Sequence, residues 1–283
     1  MMARPLWLVT LVKKAFPTRF MLAKLTRKVP IVRKVVDHFL FRGDDIIYLP
    51  KDGVHLAGVI QIHQPVARVE EMILPSQIIE HFIEQASDIW IMNKCICRDA
   101  EECKDYPIDL GCIFLGKAVL QISPKLGRLA TKEEALAHLE RAHEAGLVNL
   151  IGRNRIDNVW LGAGPHGKLL TICHCCPCCC LWRVLPELHP EIGSNVTKMP
   201  GVTVKVTDRC VGCGACTRAV HGHPVCFVDA IRLVEERAII GDACRGCGRC
   251  VEICPQHAIE LHVEDSTFLE QTIARIAPLV DLK

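Results

Sequence analysis

Eighteen cysteines in 283 residues are where this sequence states its chemistry, and eight of them fall in two similar runs. The first run, CVGCGAC, sets Cys210, Cys213 and Cys216 at C-x2-C-x2-C, and the second, CRGCGRC, does the same with Cys244, Cys247 and Cys250. Cys254 follows the second run after three residues and is itself followed by Pro255. Thiolates spaced in this way sit on one tight turn and can close on a shared metal centre, and Gly212 and Gly214 give the backbone room to wrap it. After the first run the residue at the corresponding spacing is Val220, which cannot ligate, so the fourth thiolate is assigned to Cys226, with His221 as the alternative ligand. The chain after Cys226 reads FVDAI, much as PQHAI follows Cys254. Two complete sets of four suit two clusters better than a zinc ribbon, which uses two C-x2-C knuckles for one ion. A disulfide framework belongs to small secreted chains.

These motifs resemble the dicluster bacterial ferredoxins, which carry two [4Fe-4S] clusters, and the resemblance covers residues 201–263. It implies that one cluster takes Cys210, Cys213, Cys216 and Cys254, while the other takes Cys244, Cys247, Cys250 and Cys226, each set borrowing its fourth ligand from the opposite run. The sequence departs from that pattern in two ways. Nine residues, Thr217 to Val225, stand between Cys216 and Cys226 where three are usual, and Phe227 replaces the proline after the fourth cysteine.

The other ten cysteines are Cys95, Cys97, Cys103 and Cys112, then Cys173, Cys175, Cys176, Cys178, Cys179 and Cys180 in the string ICHCCPCCC. Buried cysteine is a common small hydrophobe, but six within eight residues exceeds what packing alone asks for. Thiolates this dense repel one another unless metal or burial holds them. The expectation is a third Fe-S centre drawing on these ten, with zinc, a larger non-cubane cluster or no metal as the alternatives. Arg98 is placed to hydrogen-bond to its sulfurs and raise its potential.

The elements that must position these thiols read as follows. Residues 4–42 are punctuated by Pro5, Pro17 and Pro30, each able to open a helix but not to sit inside one. Val32, Val35, Val36, Phe39 and Leu40 make one amphipathic stripe. Short strands are expected around Ile46 to Leu49 and Val54 to Ile62, with a turn at Lys51-Asp52-Gly53. A helix follows Pro75 and Ser76, burying Ile78, Ile79, Phe82, Ile83, Ala86 and Ile89. Thr131 and Glu134 form a capping box for another helix, with Ala135, Leu136, Leu139 and Ala142 as its apolar face and Gly146 as its stop. The stretch from Leu147 to Cys173 reads as strands joined by polar and glycine turns. Gly162, Gly164 and Gly167 there match the letters of a dinucleotide fingerprint, but Pro165 and the strand-like Leu169 to Ile172 leave no helix to hold a pyrophosphate. Asp265 or Ser266 caps a closing helix with Leu269, Ile273, Ile276 and Val280 on one face. His63, His81, His138, His143 and His257 read as surface residues and not as ligands.

Net charge is +2, yet residues 1–42 hold ten Lys/Arg against one acid, Asp37, so that the remainder is about seven units acidic. A basic amphipathic arm can lie on an anionic membrane, dock on a partner or pack on its own body. Nucleic acid is not expected, because the body is acidic. No window approaches a spanning helix and no secretion signal precedes the chain, so the expected location is cytoplasmic, with the arm as a route to the inner face of the membrane. The expected fold is α+β: a basic helical arm (1–45), a Cys-rich α/β middle domain (46–200), a ferredoxin-like dicluster module (201–263) and a C-terminal helix (264–283). The function this implies is one-electron transfer between redox protein partners, as a carrier or as a subunit of an oxidoreductase. The alternatives are an Fe-S reductase with the middle cysteines as its catalytic centre, and a redox or iron sensor. Serine elbows, P-loops and zinc-protease helices are missing.

Overall fold

The computed structural model describes residues 6–52, 75–163, 168–220, 222–263 and 267–282. The expected strand at Val54 to Ile62, Gly164, Gly167 and the Asp265 or Ser266 cap lie outside them, as do His63 and His221. The fold class is α+β. Its centre is a seven-stranded sheet built from β1 (Asp45–Tyr48), β2 (Ile89–Met92), β3 (Ile113–Leu115), β4 (Gly127–Leu129), β5 (Val148–Arg153), β6 (Leu170–Cys175) and β7 (Val196–Lys198), in the order β4-β2-β3-β6-β5-β1-β7. All neighbours run antiparallel except β1 and β7.

Strand alternation gives this sheet two different faces. Ile47, Ile91, Ile113, Leu115, Ile151 and Ile172 point to one side, where α4 (Ser76–Gln85), α6 (Lys132–Glu144) and α10 (Phe268–Ile276) cover them with Ile78, Phe82, Leu139 and Ile276. Ile89, expected on the face of α4, belongs to β2 instead. The capping box at Thr131 and Glu134 is formed, and Gly146 takes the left-handed conformation that stops the chain from continuing as helix. His138 is buried, not at the surface, with Nε2 2.8 Å from the Gly111 carbonyl. The strands expected between Leu147 and Cys173 are β5 and β6, but they are not joined by a plain hairpin. Arg155–Leu161 forms a helix, α7, that ends at a left-handed Gly162.

On the opposite face lie Ile46, Tyr48, Leu150, Trp90, Phe114, Cys173 and Cys175. The basic arm covers this side through α1 (Leu6–Ala15), α2 (Arg19–Lys28) and α3 (Pro30–Val36), burying Val9, Phe16, Ala23, Val36 and Phe41. Arg19 anchors it, stacked over Phe16 and Phe20 and ion-paired with Glu101. The expected stripe on the third segment splits. Val36 is buried and Val32 and Leu40 pack beside it, whereas Val35 and Phe39 face outward, and the helix widens into a π-turn over Asp37–Phe41 that shifts the stripe.

The C-terminal cysteine runs sit on a smaller frame. β8 (Val202–Val206) pairs antiparallel with β13 (Ile259–Val263), and β11 (Ile231–Val234) forms a hairpin with β12 (Arg237–Ile240). Val202 and Leu261 reach into the same apolar core as α4 and α6, so this frame is packed directly against the large sheet.

Candidate iron–sulfur sites

The two cysteine runs fold alike. Gly212 and Gly214 in the first, and Gly246 and Gly248 in the second, all have φ between 63° and 82°. A side chain at Gly212 would overlap the Glu236 carbonyl, so that turn tolerates only glycine. The likeness extends to the fourth cysteines. The Ala230 amide donates to Cys226 Sγ at 3.2 Å, and the Ala258 amide donates to Cys254 Sγ at 3.3 Å, each four residues on. The residues just before these alanines, Asp229 and His257, both adopt positive φ, at 52° and 46°. Cys226 thus occupies the local structure that Cys254 occupies in its own copy, despite the longer spacing before it. Cys210 and Cys244 accept amide hydrogen bonds as well, from Ala238 and Gly246. Amide donors aimed at sulfur are what a thiolate bound to iron requires to spread its charge.

Each fourth cysteine is brought to the opposite run. Cys210, Cys213, Cys216 and Cys254 line one small cavity. Cys226, Cys244 and Cys247 lie within electrostatic reach of one another, and Cys250 feels all three as well as Cys216 of the other set, so the two sets adjoin. Burial pushes the Cys247 thiol up to about 11 and the Cys250 thiol higher still, so a metal must displace protons from them to bind. Cys213 alone among the eighteen is exposed.

The ten remaining thiols are gathered into two groups. The turn after β6 carries Cys176, Cys178 and Cys179 to Cys103, and all four Sγ atoms lie within 4.8 Å of one another. The others, Cys95, Cys97, Cys112, Cys173, Cys175 and Cys180, line a cavity of about 310 Å3 beneath the arm, with Cys176 at its edge. Sheet register explains the second group. Ile113 of β3 faces Ile172 of β6, so the next residues outward, Cys112 and Cys173, meet with Sγ atoms 3.1 Å apart. Cys175 is 3.2 Å from Cys180. A hydrogen bond with Cys97 lowers the Cys95 thiol to about 7, with nearby Arg98 acting in the same direction against burial.

Arg98 is fully buried at the edge of this cavity, donating to the carbonyls of His174 at 2.7 Å and of Leu110, while its Nε has no hydrogen-bond partner. Burial disfavours its charge, but Cys95, Cys176, Cys112 and Cys175 around it hold the guanidinium protonated. Tyr48 connects this cavity to the C-terminal sites. Its hydroxyl is 3.6 Å from Cys180 Sγ, and its ring lies 4.8 Å from that of Phe227, the residue after Cys226. The replacement of proline by Phe227 therefore makes a contact that proline could not. The nine-residue stretch between Cys216 and Cys226, six longer than usual, also has a place in the structure, as a short hairpin that sets His223 Nε2 3.1 Å from Asp105 Oδ2, close to Cys178.

The family described as LdpA Fe-S cluster-binding domain matches residues 222–264, which hold Cys226 and the whole second run. No curated protein and no solved structure matches the chain. No helix among the described residues is long and apolar enough to cross a membrane. With amide-capped thiols in glycine-built turns and this family match over the same stretch, the chain is an iron–sulfur protein.

Proposed function

We propose that the protein is a one-electron carrier, or the carrier subunit of an oxidoreductase, holding two [4Fe-4S] clusters in residues 201–263 and a third Fe-S centre in the cavity beneath the arm. The first cluster takes Cys210, Cys213, Cys216 and Cys254, the second Cys244, Cys247, Cys250 and Cys226. The third draws its ligands from Cys95, Cys97, Cys112, Cys173, Cys175 and Cys180. The observation that carries this reading is the matched environment of Cys226 and Cys254, each followed by a left-handed residue and an alanine amide that caps its sulfur. When bound, each cluster takes up and gives back single electrons. The protein supplies the rest. Amides on Cys210, Cys226, Cys244 and Cys254 stabilise the sulfur charge that reduction increases. Arg98 places a fixed positive charge beside the third site, favouring its reduced state. Tyr48 and Phe227 fill the space between the second and third sites with packed rings that exclude water. The exposed Cys213 marks the end at which a redox partner approaches.

The test is EPR of the dithionite-reduced protein under anaerobic conditions, on wild type and Cys226→Ser. Wild type is expected to give the broadened spectrum of two magnetically coupled [4Fe-4S] centres together with a third signal. Cys226→Ser should lose the coupling and alter one centre. A coupled spectrum unchanged in Cys226→Ser would remove that residue from the ligand set, and a wild-type spectrum without coupling would remove the two-cubane assignment.

A further inference from the structure

Cys103, Cys176, Cys178 and Cys179 form a second, separate site in the middle of the chain, and its dimensions differ from those of a cluster. Their four Sγ atoms all lie within 4.8 Å of one another, with Cys103 to Cys178 and Cys178 to Cys179 both at 3.5 Å. A tetrahedral ion with metal–sulfur bonds of about 2.3 Å sets its four sulfurs roughly 3.8 Å apart. The four thiols are thus within about an ångström of that arrangement without moving any backbone. Among the described residues no other four thiols are so compact, including both sets in the C-terminal module. All four cysteines are free of disulfides.

We infer that these four cysteines bind one thiophilic divalent ion, Zn2+ or Fe2+, in a closed tetrahedral S4 site without inorganic sulfide. Four protein ligands leave no open position, which is the arrangement of a structural site. The elements it would join support that role. Cys103 lies in the loop after Ile96–Ala100, and the other three sit in the turn that ends β6. Here too the ferredoxin insertion touches the large sheet's domain, since His223 and Asp105 each come within 4.8 Å of Cys178 Sγ. An ion at this point would fix the loop against the turn, and with it the wall behind Cys176 that both middle sites share. The inference does not depend on how many clusters the chain carries, because its signature is metal without sulfide.

Metal and acid-labile sulfide are measured on the full chain, wild type and Cys103→Ser/Cys178→Ser, purified anaerobically. Wild type is expected to hold about one zinc, or about one iron in excess of its sulfide, and the variant to lose that single metal with its sulfide unchanged. Loss of about four iron and four sulfide together would overturn the inference by making these thiols cluster ligands, as would wild type with no zinc and iron equal to sulfide. Where the variant does not fold, X-ray absorption at the zinc edge of the wild-type protein decides for zinc, and iron in excess of sulfide decides for iron, whose clusters share the same four-sulfur shell. Four sulfur neighbours at about 2.3 Å support the site, and a shell containing nitrogen or oxygen refutes it.

Discussion

Arg98 offers the sharpest energetic test of the cavity beneath the arm. It is fully buried, two carbonyls accept its hydrogen bonds, and the groups that face its charge are thiols. A buried cation without an anion is costly, and replacing it by an apolar residue of similar length is often neutral or stabilising. If an anionic iron–thiolate centre occupies the cavity, the balance changes sign. Arg98→Met then removes two charge-assisted hydrogen bonds of roughly 1.5–3 kcal/mol each and leaves the centre's charge uncompensated. The loss is roughly 3–6 kcal/mol in the loaded protein, a fall in melting midpoint of roughly 6–24 °C. In the cluster-free protein the same substitution is expected to change stability by no more than about 1 kcal/mol, or to raise it. The assay is anaerobic thermal unfolding by circular dichroism of loaded and cluster-free wild type, Arg98→Met and Arg98→Lys. Arg98→Lys keeps the charge but not the planar fork, and should fall between the other two in the loaded protein. Equal losses for Arg98→Met with and without clusters would refute the reasoning, since Arg98 would then be serving only the His174 and Leu110 carbonyls.

Other consequences follow from single residues. Gly212→Ala puts a Cβ against the Glu236 carbonyl at a left-handed position, and should cost at least about 2 kcal/mol and lower the cluster content of the first site, read by iron analysis and urea unfolding. Asp44 is buried and its carboxyl is raised to about 8 by desolvation, with the Arg155 amide donating to one oxygen and the other oxygen unpartnered. A raised folded pKa means that its contribution is full below about pH 4 and lost as pH rises through about 8, so Asp44→Asn should flatten the decline in melting midpoint across that window. An unchanged pH profile would show that Asp44 stays ionised in the fold. The outer side of the arm leaves Trp7, Met21, Ile31 and Phe39 exposed beside its lysines and arginines. The full chain is therefore expected to co-sediment with anionic vesicles, and Trp7→Asp/Phe39→Asp to reduce that by several-fold, whereas wild type left in the supernatant would exclude membrane contact.

The sequence carried the C-terminal sites further than their irregular spacing suggests. The likeness of FVDAI to PQHAI singled out Cys226 as the counterpart of Cys254, and the structure gives that likeness a physical content in two left-handed residues and two amide-to-sulfur bonds. Strands β5 and β6 were legible from their apolar runs and α6 from its capping box, whereas β2 was read into the helix before it and β3 was not read at all. Helix α7 was not, because RIDNVWL is as apolar as a strand. The signal that could have found it was Gly162, which ends the helix in the left-handed conformation. The division of the ten middle cysteines into a compact four and a cavity of six could not be read from spacing at all. Cys112 meets Cys173 because of strand register across 61 positions, and Cys103 meets Cys178 because of a loop packed on a turn. The nine residues between Cys216 and Cys226 looked like a defect in the ligand pattern, but they form the hairpin that reaches Asp105.

The measurement that bears most directly on the central claim is acid-labile sulfide per chain, which counts clusters and ignores lone ions, on wild type, Cys112→Ser/Cys173→Ser and Cys226→Ser/Cys254→Ser. The account predicts about 12 sulfides in wild type, about 8 when the cavity pair is removed, and about 4 when the two fourth ligands of the C-terminal module are removed. About 8 in wild type with no change in Cys112→Ser/Cys173→Ser would leave the cavity without a cluster, and a wild-type value of about 4 or less would contradict the two-cluster module itself.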